Sequence, residues 1–330
     1  MDGKQFKKEL DFVTRTGLGL TFSNGWMYSD DGKMRVSSYV GSAISGTIGK
    51  MEVAKLKKSC SAWKGDLIFQ MTDSTLTITD GGFPLTLDLS EPRASVTIEN
   101  PLEADIIEDV GKFGAELKRL SAFASNDITR PFMTGVCVDH MNKSLVSTNG
   151  RYLADVPFPE MTFKEQVVIP TEVCNKISKM SGHGIWSVWK SDDKWYKIET
   201  DGREVIFKVT EQSFPSWKRV VPDTSSESYE TKTVRTNKFL EAAKFVASQF
   251  SKNSESRTLL EAGKFGGVEC DVEFKVPAYF NAHYIEDTLK ALEADEIEVS
   301  INCEDLDDIT RKAARFFDGK TEVVVMPMTA

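Results

Sequence analysis

Residues 135–156 read Gly135-Val-Cys-Val-Asp139-His-Met-Asn-Lys143-Ser-Leu-Val-Ser-Thr148-Asn-Gly150-Arg-Tyr-Leu-Ala-Asp-Val156. Short apolar runs alternate with turn residues, and Asn-Gly between apolar strands signals a hairpin, because both central residues of a type I′ turn need positive φ. The stretch predicts strands at 135–139, 144–148 and 152–156, with turns at Met141-Asn-Lys143 and Asn149-Gly150. Just upstream, Phe113, Leu117 and Leu120 recur at i, i+4 and i+7, the spacing that lines one side of an α-helix.

The same combination recurs in both directions along the chain. Phe6/Leu10/Val13 and Phe239/Ala243/Val246 repeat the triplet, and Val173/Ile177/Met180 and Ile285/Leu289/Leu292 repeat it again, while Val53/Leu56/Cys60 keeps it loosely. Six helices, two per third of the chain, mark a threefold internal repeat of about 110 residues. Strand-like pieces lie at 67–71, 75–79 and 83–89, and again at 185–189, 195–198 and 204–209. Turns at Thr72-Asp-Ser74, Asp80-Gly-Gly82, Ser191-Asp-Asp193 and Asp201-Gly202 break them. Each third is thus an α+β unit of two helices on antiparallel strands. Turn residues and charge collect at Ser90–Arg93, before a strand-like 95–98, and at Pro222–Ser228, so the expected domains are 1–98, 99–222 and 223–330.

Three hundred and thirty residues with 40% apolar content suffice for a core in each domain. The N-terminal stretch has no apolar core of the signal-peptide kind, and no run approaches a membrane span, so a cytoplasmic protein with no membrane partner is expected. Cys60, Cys137, Cys174, Cys270 and Cys303 are odd in number and widely spaced, which reads as reduced thiols and not as a disulfide framework or zinc site.

Chemistry-bearing motifs are missing from the sequence. There is no phosphate-binding loop, dinucleotide fingerprint, nucleophile elbow or H-E-x-x-H helix, and Gly17-Leu-Gly19 lacks a third glycine. His140, His183 and His283 are the only histidines. Asp139-His140 could be imagined as a dyad, but neighbours in a strand point to opposite faces. No catalytic residue, metal or cofactor is expected.

The charge is unevenly placed. The net charge is −9, yet the six helical windows carry about +8 and the remainder about −17. At 100° per residue, the position five after the first apolar residue of each triplet points away from the core; it is Lys58, Lys118, Lys244 and Lys290 in four helices, Asp11 and Ser178 in the others. Lys4, Lys8 and Arg15 occupy the outer side of the first helix, and Lys55 and Lys179 add to the set. Lysines on an outer helical face are commonly just solvated; their recurrence within an acidic chain favours a shared electropositive surface.

Several motifs then converge. The C-terminal third ends Val323-Val-Val-Met326-Pro327-Met328-Thr-Ala330, preceded by Phe280-Asn-Ala-His-Tyr-Ile-Glu-Asp-Thr-Leu-Lys-Ala-Leu292. The middle third adds Thr134-Gly-Val136, Ser147-Thr-Asn-Gly-Arg-Tyr-Leu-Ala154, Val168-Ile-Pro170 and Phe214-Pro-Ser-Trp-Lys-Arg-Val-Val-Pro222. Over residues 101–330 this resembles the bacterial DNA polymerase III beta subunit, the sliding clamp, with its M-P-M tail, F-N-x-x-Y helix, A-T-D-G-H-R-L-A turn and F-P-x-[YF]-x-x-[VL]-[IL]-P element. The first hundred residues fit in outline.

The resemblance implies a three-domain clamp fold and a non-catalytic processivity factor. Two copies would close head to tail into a ring around double-stranded DNA, loaded by a separate ATP-dependent loader, since the chain has no nucleotide-binding loop. The basic helices would face the duplex, where loose phosphate contacts carry no sequence information, and the protein would work beside the nucleoid. A hydrophobic cleft lined by Met133, Thr148, Gly150, Arg151, Tyr152, Leu153, Pro222, Val324, Met326, Pro327 and Met328 would hold a peptide of the replicative DNA polymerase. Where the family has His-Arg after the turn glycine, this chain has Arg151-Tyr152, and its tail ends Thr329-Ala330 in place of a basic and an apolar residue, which implies a different peptide preference. The alternative is a scaffold that keeps the cleft without closing a ring.

Overall fold

The computed structural model describes residues 1–93, 95, 103–190, 194–209, 213–251, 254–303 and 312–328. The expected strand at 95–98, the turn at 191–193 and the tail residues Thr329 and Ala330 fall wholly or partly outside them. Two compact units emerge, Met1–Ala115 with Glu172–Glu211, and Glu116–Thr171 with Gln212–Ala330.

Helix α1 (Gly3–Val13) starts at Asp2, whose carboxylate accepts the Gln5 N–H, and it buries Phe6, Leu10 and Val13 completely. Removing a large apolar side chain of this kind from water stabilises a fold by about 1.5–3 kcal/mol. Then come strands β1 (Leu20–Ser23), β2 (Trp26–Asp30), β3 (Met34–Tyr39) and β4 (Gly46–Ile48), and helix α2 (Lys50–Ser59). Strands β5 (Ile68–Met71), β6 (Thr75–Thr79), β7 (Leu85–Asp88) and β8 (Glu103–Ile107) lead to α3 (Val110–Leu120). The middle of the chain holds β9 (Gly135–Asp139), β10 (Ser144–Thr148), β11 (Tyr152–Pro157), β12 (Val167–Pro170) and α4 (Thr171–Ile177). It continues with β13 (Gly184–Lys190), β14 (Lys194–Thr200) and β15 (Arg203–Lys208). After a short 3-10 segment, Trp217–Val220, follow β16 (Tyr229–Arg235), α5 (Thr236–Ala247), β17 (Arg257–Glu261), β18 (Lys264–Phe265) and β19 (Val268–Glu269). The last elements are β20 (Ala278–Asn281), α6 (Ala282–Ala291), β21 (Glu296–Asn302), β22 (Ala314–Phe317) and β23 (Glu322–Val325).

All six apolar triplets of the sequence are buried, Val53 at 6% exposure being the least so. The first unit holds an antiparallel sheet in the order β4-β1-β2-β3-β15-β14-β13-β8 and a smaller one, β5-β6-β7. In the second unit the orders are β12-β9-β10-β11-β23-β22-β21-β16 and β19-β18-β17-β20. Each large sheet is joined by strands far apart in sequence: Val36 of β3 faces Val205 of β15, and Leu153 of β11 faces Val324 of β23. The architecture is α+β, with helices on antiparallel sheets.

Strands β1–β4 are absent from the sequence reading. Their turn, Asn24-Gly25, has φ of 51° and 83° and links the paired Ser23 and Trp26, so it is the two-residue hairpin that the sequence analysis placed elsewhere. One cation counted on the helices also has other work. Lys176 is 7% exposed and donates to the Phe12 and Thr14 carbonyls at the C-terminal end of α1, at 2.5 and 3.0 Å. Burial lowers its pKa to about 8. Inside the same unit, Glu9 of α1 is buried and is held by Arg203 and by the Ser38 hydroxyl, at 2.8 and 2.7 Å.

Candidate functional site

Past β10, four residues, not two, separate the last cross-strand pair. Thr148 pairs with Leu153, and of the residues between them only Gly150 has positive φ, 87°. The expected type I′ turn is therefore corrected: side chains make the reversal. Asn149 Oδ1 accepts the Arg151 and Tyr152 N–H groups at 2.9 and 3.2 Å, and Thr148 Oγ accepts the Gly150 N–H at 3.0 Å while donating to the Tyr152 carbonyl at 2.7 Å. The chain's tail is laced to this turn. Met326 N–H donates to the Arg151 carbonyl at 2.9 Å, and Met328 N–H to the Tyr279 carbonyl at 2.7 Å.

A cavity of about 320 Å³ opens beside the turn, lined by Met133, Thr148, Gly150, Arg151, Tyr152, Leu153, Val324 and Met326. Eight of the eleven residues that the sequence named for the cleft are thus brought together. Pro327 and Met328 border a larger, more polar hollow of about 660 Å³ that shares Arg151, Tyr152 and Met326 with the first. Pro222 lines neither. Its place is taken by Pro215, Ser216, Trp217 and Val220, from the same F-P motif but upstream of the residue named. Tyr152 is 5% exposed, stacks on Tyr284 with ring centroids 4.3 Å apart and donates its hydroxyl to the Ala122 carbonyl, so it forms a wall shared by both hollows. Burial first, then the nearby Asp287 carboxylate, pushes its phenol far above the usual range.

Under the cavity, Cys137, Val146, Leu153 and Val324 form an apolar floor with Trp217 and Phe214. Residues directly opposed across strands share a sheet face. Through the pairs Ser144 with Asp139, Val146 with Asp155, and Asp155 with Glu322, this face continues as a row of polar and acidic groups. Asp155 is 8% exposed and one of its carboxylate oxygens has no partner. Burial raises its pKa to about 6, with Ser144 and Lys218 opposing and Glu322 and Asp139 assisting.

Asp139 and His140 do not act together. The Asp139 carboxylate accepts the Trp217 indole N–H at 2.8 Å and the Asn142 side-chain amide at 2.7 Å, while the buried His140 Nδ1 has no partner. Among the described residues no group of three His, Cys, Asp or Glu side chains is arranged to hold a metal ion, and no helix is long and apolar enough to cross a membrane. None of the five cysteines is in a disulfide; Cys303 is half-buried and the others are buried.

The basic residues divide into two groups. Lys4, Lys8, Lys58, Lys118, Lys179 and Lys244 are exposed, and their amines have no ion-pair partner among the described residues. Lys4, Lys7, Lys8, Lys179 and Arg203 line one shallow hollow, with Asp11 as the acid there. The other three expected DNA-facing residues are engaged. Lys55 pairs with Glu52 at 2.6 Å and Lys290 with Glu286 at 2.5 Å. Arg15 needs outright correction. It lies beyond the end of α1, its side chain is 9% exposed, and it is held by Asp31, Glu172 and the Met34 carbonyl, which leaves it no face for a phosphate.

No protein-family model and no curated protein matches the sequence. Solved structures do. A DNA polymerase III beta sliding clamp from Bartonella birtlesii, bound to griselimycin, is 18% identical with a TM-score of 0.76, over 100% of this chain and 98% of that one. The beta subunit from Borrelia burgdorferi, in complex with a natural product, gives 15% identity and 0.74 over 99% and 98%. The Helicobacter pylori beta clamp bound to a DNA ligase peptide gives 15% and 0.72 over 99% and 97%. Likeness over the whole chain at such low identity is likeness of fold, and the fold of this chain is that of the bacterial DNA polymerase III beta sliding clamps.

Proposed function

We propose that this chain is a sliding clamp: a non-catalytic processivity factor that closes as a head-to-tail homodimer around double-stranded DNA and tethers the replicative polymerase through the cavity beside Thr148–Leu153. The observation that carries the reading is the cavity itself, whose lining comes from the turn, the tail and the Pro215–Val220 segment, the same places at which the sequence resembles clamps. A methionine-edged apolar pocket suits a surface that must accept several peptides, because thioether side chains repack readily. The peptide seen on the Helicobacter pylori clamp supports the same use here.

The threefold division at about residues 98 and 222 gives a repeat whose copies can close a ring. Closure needs unlike surfaces on the two ends of each copy, and the contact must close after two subunits. The β5-β6-β7 sheet favours such a contact: β5 is an edge strand with Ile68 and Met71 exposed, and Phe83, in the connection between β6 and β7, is 72% exposed. Edge strands of this kind pair with another chain unless they are blunted. The unpaired lysines of the helices would attract the duplex without fixing register, enclosure would supply retention, and the acidic remainder would repel DNA from the outside. An ATP-driven loader would open the ring.

The deciding experiment is retention on circular DNA after loading, followed by linearisation. A ring slides off the cut end; a conventional binder stays and overturns the proposal. Sedimentation separates the scaffold alternative, which would remain a monomer at micromolar concentration.

A further inference from the structure

The carboxylate of Asp139, which has no part in catalysis, has a partner that lines the cleft. Trp217 is 6% exposed, packs with Leu153 and Val324 in the floor, and borders the cavity. An indole has a single polar atom, and a buried N–H left without an acceptor is costly. Asp139 supplies the acceptor at 2.8 Å from β9, a strand buried along its whole length. The 3-10 segment that carries Trp217 and the half-exposed Val220 has no side-chain cap at its start. Its path is held from outside: Gln166 accepts the Phe214 N–H at 3.1 Å, and Asp139 takes the indole. Burial alone would raise the Asp139 pKa, but the Trp217 and Asn142 donors outweigh it and hold the group below the usual carboxylate range, so the bond is charge-assisted.

We infer that Asp139 is a positioning residue of the cleft: its carboxylate holds the Trp217 indole against the sheet and so fixes the wall against which a partner's apolar side chain packs. The inference rests on the reading of this cavity as a peptide cleft. Asp139 touches no ligand itself; it acts through Trp217. Its second role, accepting the Asn142 N–H and side-chain amide at 3.2 and 2.7 Å, caps the β9–β10 turn and must be separated from the first.

The test uses the full-length chain and a panel of synthetic octapeptides, each with two adjacent large apolar residues, with affinity read by calorimetry. Asp139→Leu should weaken binding by about tenfold or more, and Asn142→Ala, which removes the side-chain half of the turn contact and leaves the indole bond, by less than about threefold. Trp217→Phe should cost as much as Asp139→Leu, and the double variant should be no weaker than Trp217→Phe alone, because both remove the same bond. Equal affinity of Asp139→Leu and wild type, additive losses in the double variant, or a loss in Asn142→Ala as large as in Asp139→Leu would each overturn the inference and leave the cleft standing. If no peptide binds the wild-type chain, the cleft reading falls and takes the inference with it. Asp139→Asn guards against misfolding, since it keeps one acceptor oxygen. Trp217 is the sole tryptophan of its unit, and its indole proton resonance should move upfield in Asp139→Asn with a partial loss of affinity. A moved resonance with unchanged affinity overturns the inference.

Discussion

Replacing Asp155 with Asn should make the protein more stable at neutral pH and leave it unchanged in acid. Asp155 lies on the acidic continuation of the cleft floor, 8% exposed, with one oxygen unpartnered. Its pKa is raised from the ordinary 3.8 to about 6. The folded chain therefore takes up this proton near pH 6 and the unfolded chain only near pH 4. Between those values the folded state binds more protons, so stability falls as pH rises through the window and stays low above it. At about 1.4 kcal/mol per pH unit, the rise corresponds to about 3 kcal/mol of destabilisation once the group is ionised, an upper figure that relaxation around the carboxylate reduces. An amide keeps the size and an acceptor for Ser144 but never ionises. Urea unfolding followed by circular dichroism should show a gain of up to about 3 kcal/mol for Asp155→Asn at pH 7.5, shrinking to nothing by about pH 4. A difference that does not vary with pH, or a uniform loss of stability, would refute the assignment of the strain to an ionised buried carboxylate.

Three further outcomes are expected. Joint replacement of Lys58, Lys118 and Lys244 by Glu should leave the circular dichroism spectrum intact and abolish retention on circular DNA, whereas Lys55→Glu and Arg15→Gln should act on folding, because those cations already serve neighbouring carboxylates. Deleting residues 326–330 should weaken peptide capture, measured by calorimetry, and leave the sedimentation coefficient unchanged. Gly135→Ala should destabilise the fold by about 1–3 kcal/mol in urea, since the added Cβ would sit 2.1 Å from the Ile169 carbonyl oxygen where β9 and β12 lie against each other.

Helical spacing was the most legible signal. The triplets located all six α-helices of the described residues because burial of one side is a local property, written every three or four residues. Strands were less readable. Those of the middle third, from Gly135 to Val156, carried both alternation and turn residues; β1–β4 carried the better hairpin pair, Asn24-Gly25, but sat in a polar stretch where apolar alternation is weak. Nothing local reveals that Val36 faces Val205, or Leu153 faces Val324, since those partners meet only when the sheet forms. The cleft was read largely by resemblance. Trp217 was missed because the expected lining took only Pro222 from the F-P motif and passed over its aromatic position, where this chain has the side chain that packs into the floor. Charge was legible in total and unreliable singly: Arg15 and Lys176 look like surface bases, and only the folded chain gives them carboxylate and carbonyl partners.

The place of β23 bears on how the molecule is made. This strand comes last in chain order among the described elements, yet it lies inside its sheet between β11 and β22. Until β23 pairs, the outer edge of β11 has no neighbour, and Tyr152 and Leu153 lack their cross-strand partners Val325 and Val324. A nascent chain cut short before residue 322 would carry that open edge permanently, exposed to aggregation and to proteases. The Val324 side of the cavity beside Thr148–Leu153 is therefore finished only when β23 takes its place between two strands already far apart in the chain.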